Sequence, residues 1–269
     1  MVSRLKASDN NSLKKIIIIG AGNVGSNLAS ALYKNSISIH QICDLDINKS
    51  KNIADKFNSS YTNDIKKIEP NADLYIIAVS DDSIKSVLNN LTISEHSIVV
   101  HTSGSTSCSI FETTFNNYGV FYPLQTFDVN RDVDFSNIPI CIEGSSDIVS
   151  ETLAQLAKLL TDKVFFIDSD NRKIIHLSAV FVSNFVNFMY VIANDILSEN
   201  KLSFEILKPL ILESALKVQK NNPSNVQTGP AIRNDFSTIN NHLELLNSNE
   251  DMKVVYSLLT EQIIKYYSK

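Results

Sequence analysis

The chain has 269 residues, enough for one large or two medium domains, and its 43% hydrophobic and 20% charged residues are those of an ordinary globular protein. A net charge of −5 with interspersed signs excludes a strongly basic binder of nucleic acid or of anionic membranes. Three cysteines, Cys43, Cys108 and Cys141, are odd in number and far apart, which argues against a disulfide framework and for reduced thiols in a cytoplasmic setting.

The first 14 residues are polar, with no apolar run like that of a signal peptide, and are expected to form a loose tail. Four isoleucines, Ile16 to Ile19, then read as a fully buried parallel strand. It runs into Gly20, Gly22 and Gly25, spaced G-x-G-x-x-G, and a helix is expected over 26–33. Each glycine has a mechanical reason. Gly20 permits a tight turn, Gly22 lets the backbone approach a pyrophosphate, and Gly25 lets the helix pack closely on the strand. The N–H groups at the helix start, around Asn23 and Val24, offer donors and a positive dipole end to phosphates.

A second strand over 37–43 ends at Asp44, about 20 residues after the last glycine. An acid here can accept hydrogen bonds from the adenosine ribose and repels a 2′-phosphate. Leu45 and Asp46 follow, and no Arg stands there to hold that phosphate. The cofactor is therefore NAD or NADP, with NAD favoured. The other reading makes Asp44 a turn residue that begins a helix cap.

Alternation continues: helix 48–57, a short strand 60–62, strand 72–79, helix 84–91 and strand 97–101. Helix 108–116, strands 119–122 and 138–143, helix 147–160 and strand 163–167 complete the pattern. This is the signature of an α/β protein with a doubly wound, mostly parallel Rossmann sheet. Ligands of such sheets bind beyond the carboxyl ends of the strands. Ser80, His101 and Ser103 are therefore candidates, the first two bordering the nicotinamide half of the cofactor.

After Asp168 the pattern is all helical, over 171–200, 204–221, 236–247 and 251–267. Three parts follow: a tail over 1–14, a Rossmann domain over 15–168, and an all-α substrate and dimerisation domain over 169–269. Residues 172–197 are apolar almost all round, as in a central, buried helix. No run of about 18 purely apolar residues predicts a membrane span.

At 100° per residue, His176, Ser183, Asn187 and Asn194 fall on one line, with Asn184 at its margin. Buried polar groups need partners, so this stripe faces another helix or a ligand cleft. One alternative is hydrogen bonding between helices, including across a dimer. The other is a substrate cleft facing the cofactor domain, with His176 as acid/base. Between later helices lies Thr228-Gly-Pro-Ala-Ile-Arg-Asn-Asp235. Asp235 suits a helix N-cap. Arg233 is either a solvated charge or a carboxylate clamp.

Other chemistries find no support. There is no H-E-x-x-H, Walker loop or G-x-S-x-G, and the five histidines lack metal-ligand spacing, so no metal is expected. Ser103, in Thr102-Ser-Gly-Ser-Thr106, is either a reactive hydroxyl or part of a polar turn.

With these residues in place, the chain resembles the Rossmann-like oxidoreductases that carry a C-terminal domain of unknown function. These are distant relatives of pyrroline-5-carboxylate reductase, deazaflavin-dependent NADP oxidoreductase and the β-hydroxyacid dehydrogenases. The resemblance rests on the glycine motif, Val79-Ser-Asp-Asp82, His101-Thr-Ser-Gly-Ser105, Tyr122-Pro-Leu-Gln-Thr-Phe127, His176-Leu-Ser-Ala179, Asn184-Phe-Val-Asn187 and Thr228 to Asp235. It implies a substrate loop at Ser103 and catalytic groups on the interdomain helix, here His176 through Asn184. The lysine that β-hydroxyacid dehydrogenases use there is missing. The resemblance also implies a homodimer formed through the helical domain.

The expectation is a cytoplasmic, dimeric, nicotinamide-dependent oxidoreductase with a small polar substrate in the interdomain cleft and no nucleic-acid or membrane partner. Ser103, Gln125, His176, Asn184, Asn187 and Arg233 would surround the substrate. The alternative is a non-catalytic dinucleotide-binding sensor or scaffold. A third reading is an imine reductase.

Overall fold

Four consecutive isoleucines form β1 (Ile16–Ile19), every one of them buried. A computed structural model describes residues 13–131 and 133–268. The elements that follow are α1 (Asn23–Lys34), β2 (Ile39–Cys43), α2 (Ile47–Phe57), β3 (Ser60–Thr62), β4 (Leu74–Ile77) and α3 (Asp81–Asn90). Next come β5 (Ile98–His101), β6 (Tyr118–Pro123), β7 (Ile140–Gly144), α4 (Asp147–Lys158) and β8 (Val164–Phe166).

The eight strands form one sheet in the order β3-β2-β1-β4-β5-β6-β7-β8. All neighbours are parallel except β6 and β7. Alternate side chains of β1 face opposite sides, as the period of a strand requires. Ile16 and Ile18 join Leu28, Leu32, Ile53, Leu153 and Leu156 in one core layer. Ile17 and Ile19 join Tyr75, Ile77, Ile84, Leu88 and Phe111 in the other. Helices therefore cover both faces, and the expected doubly wound sheet is present.

Three local expectations change. Residues 1–12 of the expected tail lie outside the described residues. Leu13 packs on the core, and the backbone N–H groups of Lys14 and Lys15 donate to the Asp73 carboxylate at 2.7 and 2.8 Å. The helix expected over 108–116 is a short 3-10 turn (Cys108–Phe111). Thr113, Thr114, Asn116 and Asn117 follow, and such residues compete with helical backbone bonds. The long helix is not uniform either: α5 (Ser169–Ala179) passes through a π-helical stretch (Val180–Phe185) into α6 (Val186–Glu199).

The chain divides into two compact units, one running through Ser183 and one beginning at Asn184. Helical structure begins near residue 168 as expected, but α5 stays with the sheet unit. The cause is local: Arg172 is fully buried, and His176 hydrogen-bonds to Tyr122 of β6.

The second unit holds α6, α7 (Lys208–Lys220), α8 (Phe236–Leu245) and α9 (Glu250–Tyr267). Asp235 caps α8, accepting bonds from the N–H and hydroxyl of Thr238 at 3.1 and 2.8 Å. No residue of α6, α7 or α9 is buried. Ile174, Leu177, Phe188 and Val191 are among the exposed apolar residues of the long helix, so the buried central helix expected from its composition is not found in the single chain. By length and composition alone, the helix Ser169–Glu199 holds an 18-residue stretch, of mean hydropathy 1.6, that is apolar enough to cross a membrane. His176, Ser183, Asn184 and Asn187 interrupt the purely apolar run, yet none of them carries a fixed charge.

Candidate active site

The glycine loop has the geometry its spacing predicts. Gly20 sits at φ +109°, a conformation that side chains disfavour, and a Cβ there would strike the Ala78 carbonyl of the neighbouring strand. A Cβ on Gly25 would collide with the Gly20 carbonyl oxygen, so α1 can lie this close to the loop only with glycine. Gly22 differs: a Cβ there would meet nothing within 4 Å. It faces open space at the N-terminus of α1, and no side chain caps that end. Among the described residues the first-turn N–H groups of Asn23 and half-buried Val24 have no acceptor, which is what a phosphate requires.

Asn23 itself is turned elsewhere. Its side-chain oxygen accepts the Val129 N–H at 3.1 Å, while Asn27 donates to the Asp128 carbonyl at 3.0 Å. Together they tie the loop after β6 to the first turns of α1.

A cavity of about 740 Å³ opens beside the loop. Gly20, Gly22, Asp44, Leu45, Asp64 and Ser80 are among its lining residues. Asp44 holds the loop: one carboxylate oxygen accepts the Ala21 N–H at 2.7 Å and the other the Asp46 N–H at 2.9 Å. Each oxygen keeps a lone pair for a ribose hydroxyl. The cap of α2 falls to Asp46, which accepts from the N–H groups of Asn48 and Lys49. Leu45 is 94% exposed. The lining holds two carboxylates, Asp44 and Asp64, and no Lys or Arg. Ser80 precedes α3 and shares a hydrogen bond of 2.8 Å with Ser83. Cys43 also lines the cavity, but burial and the two nearby carboxylates push its thiol up to about 11, so it stays protonated.

The His101 side chain lies in the core. It is fully buried, stacks on Phe111 with ring centroids 5.5 Å apart, and accepts the Ser103 N–H on Nδ1 at 3.1 Å. Burial, then the Arg172 charge, lower its pKa to about 4. The end of a buried strand points alternate side chains into the core, and His101 is one of these. It supports the loop that follows and does not border a nicotinamide with its side chain.

Ser103 is likewise committed to that loop. Its hydroxyl donates to Thr106 Oγ1 at 3.0 Å and accepts the N–H groups of Ser105 and Thr106 at 3.2 and 2.9 Å. This is the polar turn rather than a reactive hydroxyl. The turn places Gly104 beneath two rings. A Cβ on Gly104 would lie 2.6 Å from His176 Nδ1 and 2.8 Å from Tyr122 Cζ. Those two rings meet edge to face, with Tyr122 Oη 3.1 Å from His176 Nδ1.

Arg172, one turn before His176 on α5, is fully buried. Its guanidinium pairs with Glu143 of β7 and donates to the Thr106 carbonyl at 2.5 Å. Ser169 donates to Glu143 at 2.8 Å and accepts the Cys108 N–H at 2.8 Å. Strand β7, the 103–108 segment and α5 thus share one polar junction. Sequence reasoning missed Tyr122, Gly104, Arg172 and Glu143 as a group. The one trace of the junction in the sequence is Arg172, beside Lys173 at the head of an apolar helix.

Gln125 is exposed and accepts the Thr126 N–H at 2.9 Å. Asn184, Asn187 and Arg233 are exposed on the second unit. The π-helical stretch overturns the single polar line drawn at 100° per residue. Its bonds run i to i+5 and turn the chain less per residue, so His176 and Asn187 are out of phase. Among the described residues no group of His, Cys, Asp and Glu is arranged to hold a metal.

Comparison with known proteins agrees with this geometry. Residues 15–104 match the family described as NADP oxidoreductase coenzyme F420-dependent, and residues 138–263 match a domain of unknown function (DUF2520). No curated protein matches. A solved structure from Bacteroides fragilis, provisionally designated an NADP oxidoreductase, is 39% identical, with a TM-score of 0.88 over 94% of this chain and 98% of that one. A Thermotoga maritima protein is 20% identical, with a TM-score of 0.71 over 94% and 100%. An imine reductase from Myxococcus stipitatus, solved with NADP+, is 14% identical, with a TM-score of 0.70 over 93% of each chain. The last two share the fold. The chain belongs to the family of Rossmann-type NAD(P)-dependent oxidoreductases that carry this C-terminal domain of unknown function.

Proposed function

We propose that this oxidoreductase binds NAD in preference to NADP and acts on a small polar substrate, with His176 as its acid/base group. The observation that carries this is a shared sheet edge. The open glycine loop and Asp44 follow the carboxyl ends of β1 and β2, and Tyr122, with His176 hydrogen-bonded to it, stands at the carboxyl end of β6, which runs parallel to β5 in the same sheet. Bound there, the dinucleotide would supply the hydride chemistry. The chain's own residues do the rest. The α1 N-terminus and Gly22 receive the pyrophosphate, and Asp44 accepts from the ribose. Asp44 and Asp64 together oppose a 2′-phosphate, with no cation in the lining to offset them.

Asn184, Asn187, Gln125 and Arg233 enter as substrate contacts on the strength of the sequence, and Ser103 as the residue that shapes the loop beneath His176. The same reading takes the molecule as a cytoplasmic homodimer. Its support is the exposed apolar surface of the long helix, whose uncharged polar residues suit a protein partner better than lipid. Light scattering at micromolar concentration tests it, and a detergent-free monomer would refute it.

The catalytic test is His176→Ala. Turnover with NADH, found by screening small carbonyl and imine compounds, should fall by ~10²-fold or more while dinucleotide affinity is unchanged. Unchanged turnover would remove His176 from the chemistry. Dinucleotide binding with no turnover on any compound would favour a sensor or scaffold.

A further inference from the structure

Tyr122 is 9% exposed, and among the described residues its hydroxyl has one hydrogen-bond partner, His176 Nδ1. A buried phenol has a single O–H to donate, and leaving it unpaired is costly. Burial, and then the neighbouring Cys141, push the phenol up to about 12, so it keeps that proton at neutral pH. The proton therefore points to Nδ1. A neutral imidazole that accepts at Nδ1 carries its own hydrogen on Nε2.

Gly104 fixes which edge of the ring faces inward. It packs against the Nδ1 edge, where even a methyl group on Gly104 would sit 2.6 Å from that nitrogen. Nδ1 is thus enclosed by Gly104 and Tyr122. The ring is half-buried, and Nε2 has no hydrogen-bond partner among the described residues.

We infer that Tyr122 is a positioning residue that locks neutral His176 in the Nε2–H tautomer, making it a hydrogen-bond donor toward an acceptor atom of the substrate. The substrate class follows from this. A carbonyl oxygen or an imine nitrogen accepts such a bond and is polarised by it, while a base that takes a proton from an alcohol would need Nε2 bare. The site is therefore built for the oxidised partner of its reaction. This narrows the role of His176 from proton transfer to hydrogen-bond donation that polarises the acceptor, and it rests on the placing of His176 in the site for its meaning in catalysis.

The test does not depend on turnover. Long-range ¹H–¹⁵N correlation spectra of the full-length ¹⁵N-labelled protein are recorded about two pH units above the ordinary histidine value of ~6.5. His176 is assigned by loss of its signals in His176→Gln. The inference predicts a pyrrole-like Nε2 and a pyridine-like Nδ1. A pyrrole-like Nδ1 would overturn it, whatever the activity. Tyr122→Phe keeps the ring and removes the bond. It should give mixed tautomers and lower kcat roughly tenfold with KM unchanged, the effect of one lost hydrogen bond. An unchanged tautomer in that variant would overturn Tyr122 as the cause. If His176→Ala leaves turnover intact while the spectrum shows Nε2–H, the tautomer stands and the catalytic assignment falls.

Discussion

The glycine loop and the Tyr122–His176 corner lie beyond carboxyl ends of the same sheet but are built in different ways. The loop is made of backbone. Its parts are Gly20 at φ +109°, Gly22 facing open space and Gly25 against the Gly20 carbonyl, all within six residues. The corner is made of side chains from β6 and the last turn of α5, closed on Gly104 of the loop after β5. A backbone site needs only local geometry, whereas a side-chain site needs the whole topology to be in place. The corner should therefore be the more fragile under substitution, and the loop the more tolerant wherever a Cβ has room.

The largest expected effect lies behind the corner. Arg172→Met leaves Glu143 charged, with only 21% of its side chain exposed and no guanidinium beside it. Such a change costs about 3–5 kcal/mol of stability. Urea unfolding measures it, and a loss below about 1 kcal/mol would mean that the junction does not hold α5 on the sheet unit.

His101, under the same loop, gives a pH signature. Its pKa is 6.5 when unfolded and about 4 when folded. Between these values the unfolded chain binds the extra proton, so stability falls as pH drops from 6.5 toward 4. Above 6.5 this group contributes no slope. The loss is at most about 3 kcal/mol. His101→Phe should flatten the difference between unfolding curves at the two ends of that window.

Two glycines sharpen the contrast. Gly104→Ala forces its methyl against His176 and Tyr122 and should cost about 1–3 kcal/mol together with most of the turnover. Gly22→Ala has room and should leave stability within about 0.5 kcal/mol. It should instead weaken dinucleotide binding roughly tenfold, the equivalent of about 1.4 kcal/mol, by standing between the backbone and the pyrophosphate. Calorimetric titration separates the two outcomes. Equal effects of the two glycines on stability would erase the distinction between the regions.

The same contrast explains what could be read from the chain before folding. The Ile run, the glycine spacing and Asp44 gave the strand order's core and the cofactor end, because each depends on neighbours in sequence. The tie from Asp44 to Ala21 and the carboxylate of Asp64 in the same cavity were not legible, since both depend on how strands pair. At the other end His176 stood out, but its partners did not. Tyr122 lies 54 positions away, and the Arg172–Glu143 pair spans 29. Two expectations failed for local reasons. His101 follows the inward alternation of its strand and so turns into the core. The stripe from His176 to Asn187 assumed an unbroken α-helix, and the π-helical stretch between them breaks its phase.

The proposed NAD preference turns on which dinucleotide enters the cavity lined by Asp44 and Asp64. A thermal-shift titration with NAD, NADH, NADP and NADPH, on the wild type and on Asp44→Ala, reads this by mass action, because a ligand that binds the folded state raises the melting temperature. An NAD preference set by Asp44 gives a larger shift with NAD and NADH than with the phosphorylated pair, and loss of that difference in Asp44→Ala. A larger shift with NADP or NADPH on the wild type, or no shift with any of the four, would contradict it.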